Sequence, residues 1–257
     1  MPDAFAEKYT DFTPYQYGAN NPVRYIDVNG DSLWISYAGN QILYENGNLY
    51  NQDGSEYTGA GVKKDKEGNV KRGKDGSAKL KYGFLSQTVG ALNTIGGTES
   101  GGEWLGELQT SLNNFTINTA FSSDNPEGYG VNNFEKSPGA VSHLKAYSNQ
   151  LGANGLPGGT GGTIWWNPEG TSLLTTAGPQ TNSTTDLAHE LIGHGLDANR
   201  GTMNSEIING LNRNEWQASY RENIIRNRLA VPLRTHYRLK DGTAIRILDA
   251  NDNPILP

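Results

Sequence analysis

Apolar positions along the chain follow two different periods. From Ser32 to Tyr57 the sequence SLWISYAGNQILYENGNLYNQDGSEY alternates apolar and polar residues between short breaks, which is the pattern of half-buried strands. The breaks ENGN and QDGS carry Asn-Gly and Asp-Gly, pairs that tolerate positive φ and favour tight hairpins. A small β-meander is expected here, acting as a spacer without chemistry of its own. From Leu85 the period lengthens. LSQTVGALNTIG and EWLGELQTSLNN predict two helices, the second with Trp104, Leu105, Leu108 and Leu112 along one stripe. NFTINTAF then alternates again, with Phe115, Ile117, Thr119 and Phe121 on one side, and GGTIWWNPEG predicts a strand over Thr163–Trp166. The polar lead-in TNSTTD offers N-caps to the apolar helix that follows. RNEWQASYRENIIRNRLA predicts a further helix, with basic residues in its last turn to suit the dipole and Pro232 ending it. Two short strands around Asp241-Gly242 close the chain. AVSHLKAYSNQ reads as a surface helix carrying His143, which is assigned no role.

Composition narrows the chemistry. A chain of 257 residues can bury a sizeable core, and 33 glycines crowd the first hundred residues and the stretch 152–162, where they favour loops and hairpins. The net charge of -6 and pI near 5.3 argue against a chain built mainly to hold nucleic acid. Val62–Lys81 is a local exception, with eight Lys/Arg against three Asp/Glu. It reads as a solvated linker or hairpin face, with a contact surface as the alternative. There is no cysteine, which removes disulfides, thiolate zinc clusters and cysteine nucleophiles. Any metal must be held by His and carboxylate. No run approaches the roughly 20 apolar residues that span a membrane, and MPDAFAEKYT lacks the basic start and apolar core of a secretory signal.

The chemistry gathers in TTDLAHELIGHGLDANRG, Thr184 to Gly201. His189 is followed by Glu190, Leu191, Ile192, Gly193 and only then His194. Zinc proteases with the H-E-x-x-H signature need two imidazoles on one helix face with a carboxylate between them. At about 100° per residue, histidines four apart diverge by about 40°, whereas five apart they diverge by about 140°. On a regular α-helix His189 and His194 could not share one ion. One extra residue can be absorbed as a π-bulge, a rare feature concentrated at functional sites, and Gly193 tolerates unusual backbone geometry. Two of the chain's four histidines flank the one glutamate that such a protease requires. The reading is therefore a metal site with Glu190 as general base; the bland alternative is an amphipathic helix with two surface histidines.

A third ligand has two candidates. Glu215, at the start of the next helix, is preferred. Asp197 is the alternative, and otherwise orients a histidine. An oxyanion donor is sought in PLRTHY, where His236 and Tyr237 are the candidates beside Arg234, and Tyr220 lies on the preceding helix. Glu222 is expected to pair with Arg226 four residues on.

Several stretches resemble known families. AEKY, TPYQY and NNPVRYIDVNG within residues 1–31 resemble the end of the core repeat region of Rhs-type polymorphic toxins, where a shell gives way to a variable toxin. Asp27-Val28-Asn29-Gly30 departs from the Asp-Pro-x-Gly junction linked to self-cleavage in that family. HELIGH resembles the HELLGH motif of dipeptidyl-peptidase III enzymes, whose histidine ligands have this spacing. NEWQA resembles the ligand helix of thermolysin-like enzymes, without their following Asp. Residues 163–238 look like the corresponding region of NleD-like effector metallopeptidases, against which Gly193 is an insertion. The order helix, strand, strand, signature helix resembles zincins, and that resemblance would place Thr163–Trp166 along a substrate cleft.

The expected fold is therefore α+β: residues 1–31 end an Rhs core region, 32–82 form a β-hairpin and linker segment, and 83–257 form a zincin-like metallopeptidase domain. The expected activity is a Zn²⁺-dependent endopeptidase with His189, His194 and Glu215 or Asp197 as ligands. Glu190 is its base, and His236 or Tyr237 its oxyanion donor. The resemblance implies delivery into a target cell by a specialised secretion system, a protein or peptide substrate, the Rhs shell of the parent polypeptide and a cognate immunity protein as partners. The rival is a non-catalytic Rhs tail with a structural or degenerate metal site. A nuclease is disfavoured because the acidic chain has no basic face beside its histidines.

Overall fold

The computed structural model describes residues 33–137 and 159–256. The Rhs-like stretch 1–31 and the expected helix at 140–150 with His143 lie outside the described residues. Strands β1 (Leu33–Tyr37), β2 (Asn40–Glu45) and β3 (Asn48–Tyr50) form the expected meander, and Asn46 and Gly47 turn its second hairpin with φ of 47° and 86°, as two positive-φ residues of a type I′ turn must. Helices α1 (Phe84–Gly96) and α2 (Glu99–Gln109) follow, then β4 (Phe115–Thr119), β5 (Asn133–Lys136) and β6 (Gly162–Trp166). α2 ends before Leu112, which is 49% exposed rather than part of a buried stripe.

The six strands make one sheet in the order β3-β2-β1-β4-β6-β5. β1 pairs in parallel with β4, Leu33 opposite Phe115 and Ile35 opposite Ile117, and the four side chains are fully buried. The segment expected as a spacer is thus built into the central sheet. Parallel neighbours need a long crossover, and here α1 and α2 supply it. They pack Leu85, Leu92, Ile95, Leu105 and Leu108 into the same core as the strands and the signature helix. Full burial of each such side chain stabilises by about 1.5–3 kcal/mol.

The strand Thr163–Trp166 is not at the sheet edge. β6 is paired with β4 on one side and with the antiparallel β5 on the other, so Asn133–Lys136 is the edge strand on this side among the described residues. A hairpin, β7 (Ser172–Thr175) and β8 (Gly178–Thr181), then leads into the signature helix. That helix is α-helical over Ser183–Leu187 (α3), π-helical over Ala188–His194 and α-helical again over Gly195–Arg200 (α4). Asn182 caps it by accepting a hydrogen bond from the Thr185 backbone N–H at 3.2 Å. Beyond it come the short β9 (Ile207–Ile208) and β10 (Leu211–Asn212), α5 (Arg213–Arg228), and a last hairpin of β11 (His236–Arg238) and β12 (Ala244–Arg246). A second, smaller core of Leu211, Trp216 and Ile247, with Tyr237 and Ile245 against it, ties that hairpin to α5.

Candidate active site

The seven residues Ala188–His194 are all buried. In a π turn each N–H bonds five residues back, so residues five apart sit one above the other. This is the register the HELIGH spacing demands. The His189 and His194 rings come to 5.1 Å between centroids, edge to face. Gly193 permits this for a reason beyond backbone freedom. A Cβ there would lie 2.6 Å from Ala218 Cβ and 2.8 Å from Ala218 Cα, so only glycine lets the bulge press against α5. The Gly193 carbonyl accepts a hydrogen bond from Arg221 Nη1 at 2.6 Å, and Leu191 and Ile192 anchor the opposite side with no exposed surface.

α5 brings Glu215 to the histidines. Its Oε2 lies 3.4 Å from Nε2 of His189 and 3.4 Å from Nε2 of His194, and this oxygen is buried without a hydrogen-bond partner. Nitrogen and oxygen ligands sit about 2.0–2.2 Å from zinc, and a tetrahedron with such arms has edges of about 3.4 Å. The three groups therefore match the donor set and the spacing of a tetrahedral ion. Electrostatics agree. Burial disfavours a charged His189, but the carboxylates of Glu215 and Glu222 outweigh it and push its pKa up to about 10. Burial likewise opposes ionisation of Glu215, and the two imidazoles nevertheless hold its carboxyl well below the usual range. The pocket is one that asks for positive charge.

Asp197 does not join this cluster. Once α-helical pitch resumes after His194, its side chain turns to Arg221 Nη2 at 2.7 Å and to Thr202 Oγ1 at 3.2 Å. The task of orienting a histidine falls to Glu222, whose Oε2 lies 3.0 Å from Nδ1 of His189. Glu222 pairs with Arg226 as expected, at 2.7 Å, and also with Arg234 at 3.0 Å. Burial raises the cost of its charge, and Arg234, His189 and Arg226 keep it ionised all the same. Arg226 therefore serves this buried network, and not only the end of its helix.

Arg234 is held from three directions. Asn223 accepts from its N–H at 2.8 Å and donates to its carbonyl at 3.0 Å, and Thr175 bridges it from β7. Its guanidinium lies 4.8 Å over the ring of Tyr237, which stacks 6.4 Å from His189. Burial first, and then the charge of Glu215, raise the Tyr237 phenol above its ordinary pKa, so it remains a hydrogen-bond donor. His236 points its Nδ1 at Thr235 Oγ1, 2.9 Å away.

Two clefts meet at His189. One, about 610 Å³, runs between β7 and β11 past Leu174, Asp186 and His236; the other, about 330 Å³, runs past Phe134, Met203 and Lys240. Both are lined by His189, Glu190 and Tyr237. Glu190 thus faces both sides of the centre, and burial pushes its carboxyl pKa up. Tyr220 lines neither. Asp186 had no signal in the sequence beyond its place in the first helical turn. It fixes the larger cleft by accepting from the Thr171 N–H at 2.7 Å and from Asn132 Nδ2 at 3.3 Å. Burial, helped by the charge of Glu222, pushes its pKa up to about 7.

Residues 73–237 match the model of the effector-protein family Peptidase M91. The match covers every residue of this centre. The chain belongs to the Peptidase M91 effector family. No curated protein and no solved structure gives a significant match. The M91 segment ends on Tyr237, the residue that closes the centre, and begins inside the basic stretch 62–81, so β1–β3 lie outside it.

Proposed function

We propose that this M91 effector peptidase is a Zn²⁺-dependent endopeptidase and the toxin payload of an Rhs-type polymorphic toxin, acting on a protein or peptide in the cell into which it is delivered. The observation that carries the zinc assignment is Glu215 Oε2, buried without a hydrogen-bond partner and equidistant at 3.4 Å from two imidazole nitrogens. His189, His194 and Glu215 would hold the ion. When bound, zinc supplies Lewis acidity, polarising the scissile carbonyl and making water nucleophilic near neutral pH.

The side chains divide the remaining work. Glu190 takes the proton of the attacking water and passes it to the leaving amine, a role for which a carboxyl raised by burial is suited. Tyr237 donates to the developing oxyanion, and the Arg234 guanidinium over its ring adds positive charge to the same side. Glu222 holds His189 in the tautomer that presents Nε2 to the ion. His236 lines the larger cleft beside these groups and is the alternative donor. The Rhs assignment rests on the motifs of residues 1–31, and a cognate immunity protein follows from it.

A non-catalytic structural metal site is the rival. Structural zinc is usually closed by four protein ligands. Among the described residues three groups converge, and Asp197, the fourth candidate, is engaged by Arg221. That supports an open, catalytic site. The deciding experiment is metal analysis of wild-type and Glu190→Gln protein together with toxicity on expression. Stoichiometric zinc in both with toxicity in wild type alone is expected; a metal-free wild type, or a toxic Glu190→Gln protein, defeats the proposal.

A further inference from the structure

The basic stretch 62–81 has no part in the catalytic centre, yet its geometry is specific. The backbone closes on itself around three lysines: Lys71 N–H donates to Lys63 O at 2.9 Å, Lys79 N–H to Lys71 O at 2.8 Å, and Lys63 N–H to Lys79 O at 2.7 Å. The neighbouring bridges Lys64↔Val70, Arg72↔Ala78 and Val62↔Leu80 are all antiparallel, so Lys63, Lys71 and Lys79 stand directly opposite one another in each pair. Side chains directly opposite share a face, and successive residues alternate between faces. Val62, Val70, Ala78 and Leu80 turn toward the hydrophobic core. The three lysines accordingly project outward together, and all three are exposed.

Like charges directly opposite one another are destabilising, and among the described residues none of the three carboxylates of this cap, residues 62–81, forms an ion pair with them. Asp65 spends its carboxylate on the Glu67 and Asn69 N–H groups, and Asp75 on Ser77. Glu56 is taken by a two-pronged pair with Arg72 at 2.7 and 2.6 Å. Among the described residues no carboxylate lies within ion-pair distance of Lys63, Lys71 or Lys79. The cap has eight basic residues against three acidic in a chain of net charge -6, a surplus of five, so the rest of the protein carries -11. Beside it stands Tyr82, 90% exposed.

We propose that this cap is a docking surface for an anionic phospholipid bilayer. Lysines of a polybasic patch attract anionic headgroups, and an exposed tyrosine ring suits the headgroup level of a membrane interface. The cap adjoins β3, at the far end of the strand order from β5 and the histidines, and docking there leaves both catalytic clefts uncovered.

The test is co-sedimentation of the whole chain with phosphatidylcholine vesicles, with and without phosphatidylserine, against the variant Lys63→Gln/Lys71→Gln/Lys79→Gln. Binding only to the anionic vesicles is expected, weakened by salt and reduced by roughly a hundredfold in the variant, given the usual contribution of one surface lysine. The variant should melt no lower than wild type, because the substitution removes repulsion. Equal binding by the variant, or equal binding to neutral vesicles, overturns the proposal. So does displacement by millimolar inorganic phosphate, which would indicate a discrete phosphate site. Tighter binding to single-stranded RNA than to vesicles, lost in the same variant, also overturns it.

Discussion

Gly193 and Ala218 meet where the π segment crosses α5, with so little room that a single added methyl carbon would approach Ala218 Cβ to 2.6 Å. The closeness of these helices sets the height of Glu215 relative to the two imidazoles. Gly193→Ala is therefore predicted to move Glu215, the proposed third ligand, away from the histidines while also straining the core. Overpacking of this kind costs about 1–3 kcal/mol. The expected outcome is a folded protein with a lowered melting temperature and weakened zinc affinity by competitive chelation.

Glu222→Gln tests the support beneath His189. The substitution leaves Arg226 and Arg234 without their shared carboxylate in a fully buried place, and breaking such a network typically costs about 3–5 kcal/mol. Zinc affinity should fall about 10–100-fold. Glu222→Asp, which keeps the charge, should recover part of the melting temperature but less of the zinc affinity, because its shorter side chain reaches Nδ1 of His189 poorly.

Tyr237→Phe should retain zinc and fold, since the ring still packs against the core that holds Ile245 and Trp216. Loss of the hydroxyl removes the proposed oxyanion donor, predicting a fall of about 10²–10³ in kcat with little change in KM. Peptide-cleavage kinetics on a substrate found by proteomic comparison of intoxicated cells would measure it. An unchanged kcat would transfer the role to His236 or Arg234.

Metal binding should release protons. In the metal-free protein the pKa of His189 is pushed up to about 10, so it is protonated at neutral pH, and the ion must displace that proton. Calorimetric zinc titrations at pH 7 in buffers of different ionisation enthalpy should report net proton release. The same shift carries a stability signature. A raised folded pKa stabilises fully below the unfolded value near 6.5, and that contribution is lost as pH rises through about 10. The metal-free protein should therefore lose melting temperature on the alkaline side, and the zinc-loaded protein should not.

Much of this centre was readable from residue order because its parts are local. The histidine spacing, the glycine at position 193 and the need for a bulge follow from helical pitch, and Glu215 stands in the first turn of the next helix. What escaped depends on contacts distant in sequence. Asp197 shares the signature helix with His194, but its direction is decided by Arg221 on another helix. Glu222 meets His189 only through the crossing of α5. β5 is four residues long, NFEK, with no fully buried position, so alternation had no purchase on it, and it is β5 rather than the expected Thr163–Trp166 that lines a cleft at the centre. The meander of β1–β3 was legible as hairpins, whereas its parallel pairing with β4 rests on the crossover through α1 and α2.

Arg221 holds the Gly193 carbonyl with one nitrogen and Asp197 with another, at 2.6 and 2.7 Å. It therefore joins the last turn of the bulge to the first turn of ordinary helix. An inserted residue would normally rotate everything downstream by about 100°; here the rotation is spent inside one turn and clamped there. His194 faces as though the insertion had never happened. Position along a chain and phase around a helix are separate coordinates, and Gly193 changes the first while sparing the second.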